Sequence, residues 1–340
     1  MRISRSALIG GGAALGILAL ILDSKTALEG ATEGINLCIR SVVPALFPFF
    51  VLSTILTGNL SGKGSSFIRP ICKLCGVPEG GEIILITGLL GGYPVGAQSV
   101  CQLYADRRIS KEESRRLLGF CNNAGPAFIF GMSSCLFQNR LAPLMLWIIH
   151  VLSALITGIL LPNKSTARIN PSAAKTVNLA QTMQTAVRSM TFVCAWVIVF
   201  RTVLSFAKRW FLWLLPTEIQ LVITGMTELT NGYLDLTMLQ NERLRFILAG
   251  IFLAFGGLCV MLQTASVLVQ SGLDMGFYLP GKLIQTAISA VLSYAVSGYL
   301  FHKDIRLLIT ASIIICSVWI FVILRKFTQI GSRNPTPSGV

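Results

Sequence analysis

The sequence predicts an all-α polytopic inner-membrane protein: about eight transmembrane helices, two re-entrant or broken segments and an inverted repeat. Three observations carry this. Only 12% of the 340 residues are charged, where a soluble domain carries roughly a quarter. Mean hydropathy is +0.71. Several windows run for about 20 residues with few or no charges, the length that crosses a ~30 Å hydrocarbon core.

Taken in order, Arg2 and Arg5 precede an apolar run at 7–22 with no small-x-small cleavage site before Asp23-Ser24-Lys25. This is the pattern of an uncleaved signal anchor. Full spans are expected at 6–22, 35–58, 117–137, 141–161, 182–206, 246–270, 278–300 and 307–324. Segments 83–104 and 219–235 are apolar but interrupted by Gly, Pro and polar residues, and are expected to be re-entrant or broken. Irregular backbone at membrane depth survives only where protein or a water-filled cavity covers it. Ser110 with Glu113 three residues on fits a capping box that starts a helix in the polar stretch 104–116. Residues 327–340 have the composition of a disordered tail.

With the N-terminus inside, 16 lysines and arginines fall on the cytoplasmic side: Arg2, Arg5, Lys63, Arg69, Lys73, Arg107, Arg108, Lys111, Arg115, Arg116, Lys164, Arg168, Lys175, Arg325, Lys326 and Arg333. Eight fall outside: Lys25, Arg140, Lys208, Arg209, Arg243, Arg245, Lys303 and Arg306. The bias follows the positive-inside rule, with Lys208 and Arg209 as its weakest point. The same rule accounts for the net charge of +14, so nucleic acid is not the expected partner; the lipid bilayer is.

Three blocks recur in one order. Residues 38–56 align with 186–204, placing Arg40-Ser41 on Arg188-Ser189; 88–96 answers 225–232; 119–131 answers 250–262. The span count runs the two copies, 35–161 and 182–300, in opposite directions, with a signal anchor before them and a last helix at 301–326 after. Inverted repeats with interrupted helices in matching places point to a substrate site near the bilayer midplane.

The candidate site residues follow from those interruptions. GGYPVGA (91–97) contributes Gly92, Tyr93, Pro94 and Gly96, where glycine admits close backbone approach and proline breaks the helix ladder. Asn122, Asn123 and Pro126 form the next break, whose buried amides are costly unless paired. TELTNG (227–232) contributes Glu228, Thr230, Asn231 and Gly232; an intramembrane carboxylate either takes a coupling proton or cation, or pairs with Arg188 or Arg201. Gln263 lies on the later matching helix. Arg40 and Arg188 would supply formal charge for an anionic substrate. Lys282 reads as a lysine snorkelling to the interface. Packing at helix crossings is the competing account of the glycines.

Other chemistry finds no support. Nine cysteines are scattered, and the one close pair, Cys72 and Cys75, lacks the further ligands of a zinc site. GNLSGKG (58–64) misses the phosphate-binding loop in spacing and in its last residue. With two histidines and no nucleophile elbow, the chain is not expected to be an enzyme, and no cofactor or metal is expected.

LFPFF (46–50), GYPVGA (92–97), SKEES (110–114), FCNNAGP (120–126), TELTNG (227–232) and FGGLCVMLQ (255–263) together resemble the sporulation integral membrane protein YlbJ family, over roughly residues 35–300. Cys259 departs from the serine expected there. The resemblance implies a gate, or nucleoside-recognition, domain distantly similar to concentrative nucleoside transporters. It also implies movement of dipicolinic acid across the outer forespore membrane during endospore formation. A nucleoside transporter, or a non-transporting membrane protein organising a spore-envelope complex, are the alternatives.

Overall fold

The computed structural model describes residues 5–60, 66–162 and 178–306, together with 169, 309 and 313. The expected tail and the basic loop with Lys164, Arg168 and Lys175 lie outside the described residues, as does almost all of the span at 307–324. All regular elements among the described residues are helices. Five of them are long and apolar enough to cross a membrane: Ser24–Leu56, Ala142–Leu160, Leu179–Trp210, Glu242–Val269 and Tyr278–His302.

Helix α1 (Arg5–Leu22) turns at Asp23, whose side chain caps α2 (Ser24–Leu37) by accepting from Thr26 N at 3.3 Å. A single widened turn, Cys38–Val42, leads from α2 into α3 (Val43–Leu60). This long rod lies antiparallel to α10 (Leu179–Trp210). Gly30 and Gly34 make the seam: a Cβ on Gly34 would come within 2.9 Å of Ile198 Cα, and one on Gly30 within 2.7 Å of Ser205 Oγ. Small residues four apart let two apolar helices approach closely enough for dispersion to hold them in lipid.

The short helix α4 (Arg69–Leu74) precedes a hairpin, α5 (Glu82–Leu90) and α6 (Val95–Ala105). Its arms are tied by Thr87 Oγ1 donating to Ser99 Oγ at 2.9 Å. Next, α7 (Lys111–Leu118) and α8 (Pro126–Ser133) are separated by an unwound stretch, and α9 (Ala142–Leu160) returns. The capping box is present: Ser110 Oγ accepts from Glu113 N, and Glu113 Oε2 from Ser110 N at 2.7 Å. After α10 a second hairpin follows, α11 (Thr217–Thr227) and α12 (Leu229–Asp235), closed where Gly225 and Gly232 abut. Then come α13 (Glu242–Phe255), α14 (Gly257–Ser271) and α15 (Tyr278–His302).

Polar contacts assign the ends. Arg116 on α7 donates to the carbonyls of Cys75, Gly76, Gly158 and Pro162, while Lys111 and Arg115 pair with Asp274 beyond α14. The start of α5, the ends of α6, α9 and α14, and the start of α15 therefore share one end, the basic one. At the other end Arg245 donates to the carbonyls of Leu136 and Leu239, and Lys208 pairs with Asp235 at 2.6 Å. The hairpin α5–α6 thus enters from the basic end and α11–α12 from the opposite one. Lys208 and Arg209, the weak point of the charge count, are each neutralised, Arg209 by Asp23 at 2.9 Å.

One expected span is corrected, and another, still a stretch of membrane length at Glu242–Val269, is interrupted. Residues 117–137 are not one helix but unwind between α7 and α8, and 246–270 breaks between α13 and α14, where Gly256 and Gly257 adopt φ of +82° and +81°. Asn122, Asn123 and Pro126 mark the first break in the sequence, while Gly256-Gly257 in an apolar run reads equally as a packing device. The break at Gly125–Pro126 matches the one at Gly256–Gly257 in the aligned blocks, so each repeat holds one hairpin and one broken crossing. With 14 residues before Gly256 and 15 after it, at about 1.5 Å per residue, that break falls near half-depth.

Candidate functional site

The four interruptions converge. Gly92, at φ +78°, packs its backbone on Gly125; Gly88 and Gly96 lie against Cys121 O so closely that a Cβ on either would overlap it. Tyr93, at the tip of the first hairpin, donates its hydroxyl to Leu253 O at 3.0 Å and sits beside Gly256. Gly257 faces the backbone of Thr227 and Leu229. Helices α6, α8, α12 and α14 all begin at this centre, so the partial positive charge of each N-terminus is directed there.

Those N-termini are satisfied differently. Asn122 caps α6 from outside: its Oδ1 accepts from Ala97 N at 3.3 Å, and its Nδ2 donates to Thr264 Oγ1 at 3.0 Å. Ala124 N donates to His150 Nε2 at 3.1 Å just before α8. Glu228 caps its own helix, accepting from Thr230 N at 3.1 Å, Asn231 N at 2.7 Å and Asn231 Nδ2 at 2.6 Å. Arg201 stands behind it, donating to Asn231 Oδ1 at 2.8 Å and to Glu33 at 2.6 and 2.9 Å. Glu228 is therefore reached by Arg201 through Asn231 and not by a direct ion pair.

Two cavities meet here. A small inner one, ≈ 40 Å³, is lined by Tyr93, Gly125, Glu228, Thr230, Gln263 and apolar side chains. A cleft of ≈ 270 Å³ runs between α6, α10 and α14 and is lined by Pro94, Gln98, Gln102, Arg188, Ser189, Gln263 and Ser266 among others. Its outer residues lie at the basic end. Arg188 is the one formal charge among the described residues lining it. Gln263 and Val193 line both cavities and divide them.

The structure thus brings Tyr93, Glu228, Thr230 and Gln263 to one cavity, and Pro94, Arg188 and Gln263 to the cleft. Gly92, Gly96 and Gly232 serve the close packing, Asn231 links Glu228 to Arg201, and Pro126 opens α8. Arg40 is not part of this centre: Cys38 and Val42 take the buried face of their turn, and Arg40 is exposed on the other. Lys282 is the second correction. It is 0% exposed, not snorkelling, and donates to Gln285 Oε1 at 2.9 Å, Tyr93 OH at 3.3 Å and Asn123 Oδ1 at 3.4 Å. Gln285 Nε2 also donates to Asn123 Oδ1 at 2.9 Å, and Asn123 Nδ2 to Phe120 O at 2.7 Å.

The residues that sequence reasoning missed are Lys282, Gln285, Thr264 and Tyr278. One signal was available: Lys282, Gln285, Ser289, Ser293 and Ser297 recur at three- and four-residue spacing along α15, and all five are 0% exposed. A polar stripe on an apolar helix faces protein.

No family model and no solved structure matches the chain. Among curated proteins it is similar to the sporulation integral membrane protein YlbJ of Bacillus subtilis (strain 168), 26% identical over 324 residues, covering 80% of this chain and 78% of that protein. The chain is a multi-pass membrane protein similar to that relative. Four of the six segments that carried the resemblance, GYPVGA, FCNNAGP, TELTNG and FGGLCVMLQ, are the interruptions that meet at the centre of the fold.

Proposed function

We propose that the chain moves a small organic anion across the membrane, dipicolinate by likeness to the YlbJ family, during endospore formation and at the outer forespore membrane. One observation carries the reading: two hairpins entering from opposite ends and two broken crossings converge on a small cavity, with Tyr93, Glu228, Thr230 and Gln263 among its apolar lining, that Gln263 and Val193 separate from a cleft at the basic end. Oppositely entering half-helices around a buried site are how secondary transporters alternate access. Arg188 in the cleft suits an anion arriving from that side, and the likeness to a sporulation protein supplies the context. Glu228 is the group for a coupling proton or cation. The chain is assigned no bond-making or bond-breaking step.

The test is flux. Proteoliposomes holding the full chain should carry dipicolinate faster than empty vesicles, and faster than they carry a nucleoside. Nucleoside flux without dipicolinate flux would move the reading to nucleoside transport. Flux of neither, in protein shown to be folded, would leave a membrane-organising role.

A further inference from the structure

The ammonium of Lys282 is enclosed among neutral groups. Besides its three acceptors it faces the Tyr93 ring, 5.0 Å from the centroid, and the Tyr278 ring at 5.9 Å. No carboxylate pairs with it among the described residues. A charge held out of water on dipoles and ring faces alone is only partly compensated.

Two of its three acceptors have other bonds, while Gln285 Oε1 takes its bond from Lys282. Asn123 Oδ1 already accepts from Gln285 Nε2, and the Tyr93 hydroxyl has Leu253 O as its own acceptor. The packing thus carries an uncompensated charge that its polar network could largely do without. Tyr93 is the link outward: its hydroxyl receives the lysine proton on one side while the residue lines the inner cavity on the other.

We propose that Lys282 is the anion-selecting residue of the inner cavity, admitting a carboxylate and discriminating against neutral molecules of the same shape. This rests on the transport reading above and names the substrate class of that site. A carboxylate entering beside Tyr93 takes the hydroxyl proton now given to Leu253 O, with Lys282 donating to the same oxygen from behind and strengthening the donor. The other polar groups facing the cavity fit this division. Glu228 is committed to the α12 N-terminus, Gln263 offers a neutral amide, and Arg188 stays in the outer cleft. Charge is thus met twice in series, first where it is hydrated and then where it is dry.

The experiment uses the purified full chain in detergent, melted with and without pyridine-2,6-dicarboxylate and with the neutral pyridine-2,6-dicarboxamide as control. Wild type should be stabilised by the dicarboxylate and not by the diamide. Lys282→Met should melt no lower than wild type without ligand, because it removes an uncompensated charge, and should bind the dicarboxylate at least about tenfold more weakly. Gln285→Glu places a counter-charge where Oε1 now lies 2.9 Å from the ammonium and should lose the anion response too. A Lys282→Met protein that keeps the dicarboxylate shift overturns the inference and leaves the transport reading standing. A wild type with neither shift nor flux overturns both. Should Lys282→Met melt far below wild type, Gln285→Glu decides: retained binding overturns the inference, lost binding supports it.

Discussion

The two hairpins are alike in shape and opposite in chemistry. In α5–α6 the second arm receives its cap from elsewhere, Asn122 reaching in to Ala97 N, and its tip residue Tyr93 accepts a hydrogen bond from Lys282 on α15. In α11–α12 the second arm caps itself with Glu228, and Arg201 on α10 steadies that cap through Asn231. One wall of the cavity is backed by a cation held in trans, and the other presents a carboxylate held in cis. Symmetry of the backbone therefore does not make the site symmetric, and the repeat gives a cavity with a direction.

The sharpest test of this comparison is which side each hairpin enters from. Single cysteines replacing Asp106, beside the end of α6, and Asp304, beyond α15, should label from opposite sides of the membrane, all or none. Labelling from one side breaks the inverted arrangement.

Next in size is the packing that closes each hairpin. Gly96→Ala would overlap Cys121 O, and Gly232→Ala would overlap Gly225. Each should cost about 3 kcal/mol or more, seen as loss of monodisperse protein or a large drop in melting temperature. Equal losses support equivalent roles, while a benign Gly232→Ala would make the second hairpin the looser one.

The Lys282 network and the Glu228 cap should separate by kind of effect. Asn123→Ala takes an acceptor from Lys282 and leaves Phe120 O without its amide donor, about 1–3 kcal/mol, with flux down at least about tenfold and insertion intact. Glu228→Gln trades a cap acceptor for a donor facing N–H groups, about 1 kcal/mol of stability. It should flatten the pH dependence of flux, which Asn123→Ala leaves in place; an unchanged pH profile in Glu228→Gln assigns the carboxylate to capping alone. The smallest effect is expected of Arg201→Lys, which weakens the bonds to Glu33 and Asn231 by about 1 kcal/mol or less, measurable as a small shift in melting temperature.

The interruptions were legible because Gly, Pro and amides stand out in apolar sequence, and their shared order is what suggested an inverted repeat. The break at Asn122–Pro126 was legible by that signal, although 117–137 was still taken as one span; at Gly256–Gly257 two glycines in an apolar run read equally as packing. Arg40 misled because a basic residue beside an aligned serine looks functional, while helix phase puts it outside. Lys282 was missed for a different reason. Its partners Tyr93 and Asn123 are 189 and 159 residues away, and near a helix start a lysine that snorkels and one that is buried have the same local pattern. Only the serine stripe below it marks that face as inward.

Gln263 adds a question of timing. It is the polar side chain between the cleft and the inner cavity, and its amide nitrogen is held by one weak acceptor, Cys259 Sγ at 3.3 Å. An amide restrained by a thiol turns at little cost, and a side-chain rotation is faster by orders of magnitude than the movement of a packed hairpin. Gln263 shares that boundary with Val193, so rotation of its amide is the fast clock there and movement of the hairpins the slow one. Spin relaxation of a labelled Gln263 amide would read the first clock without disturbing the second.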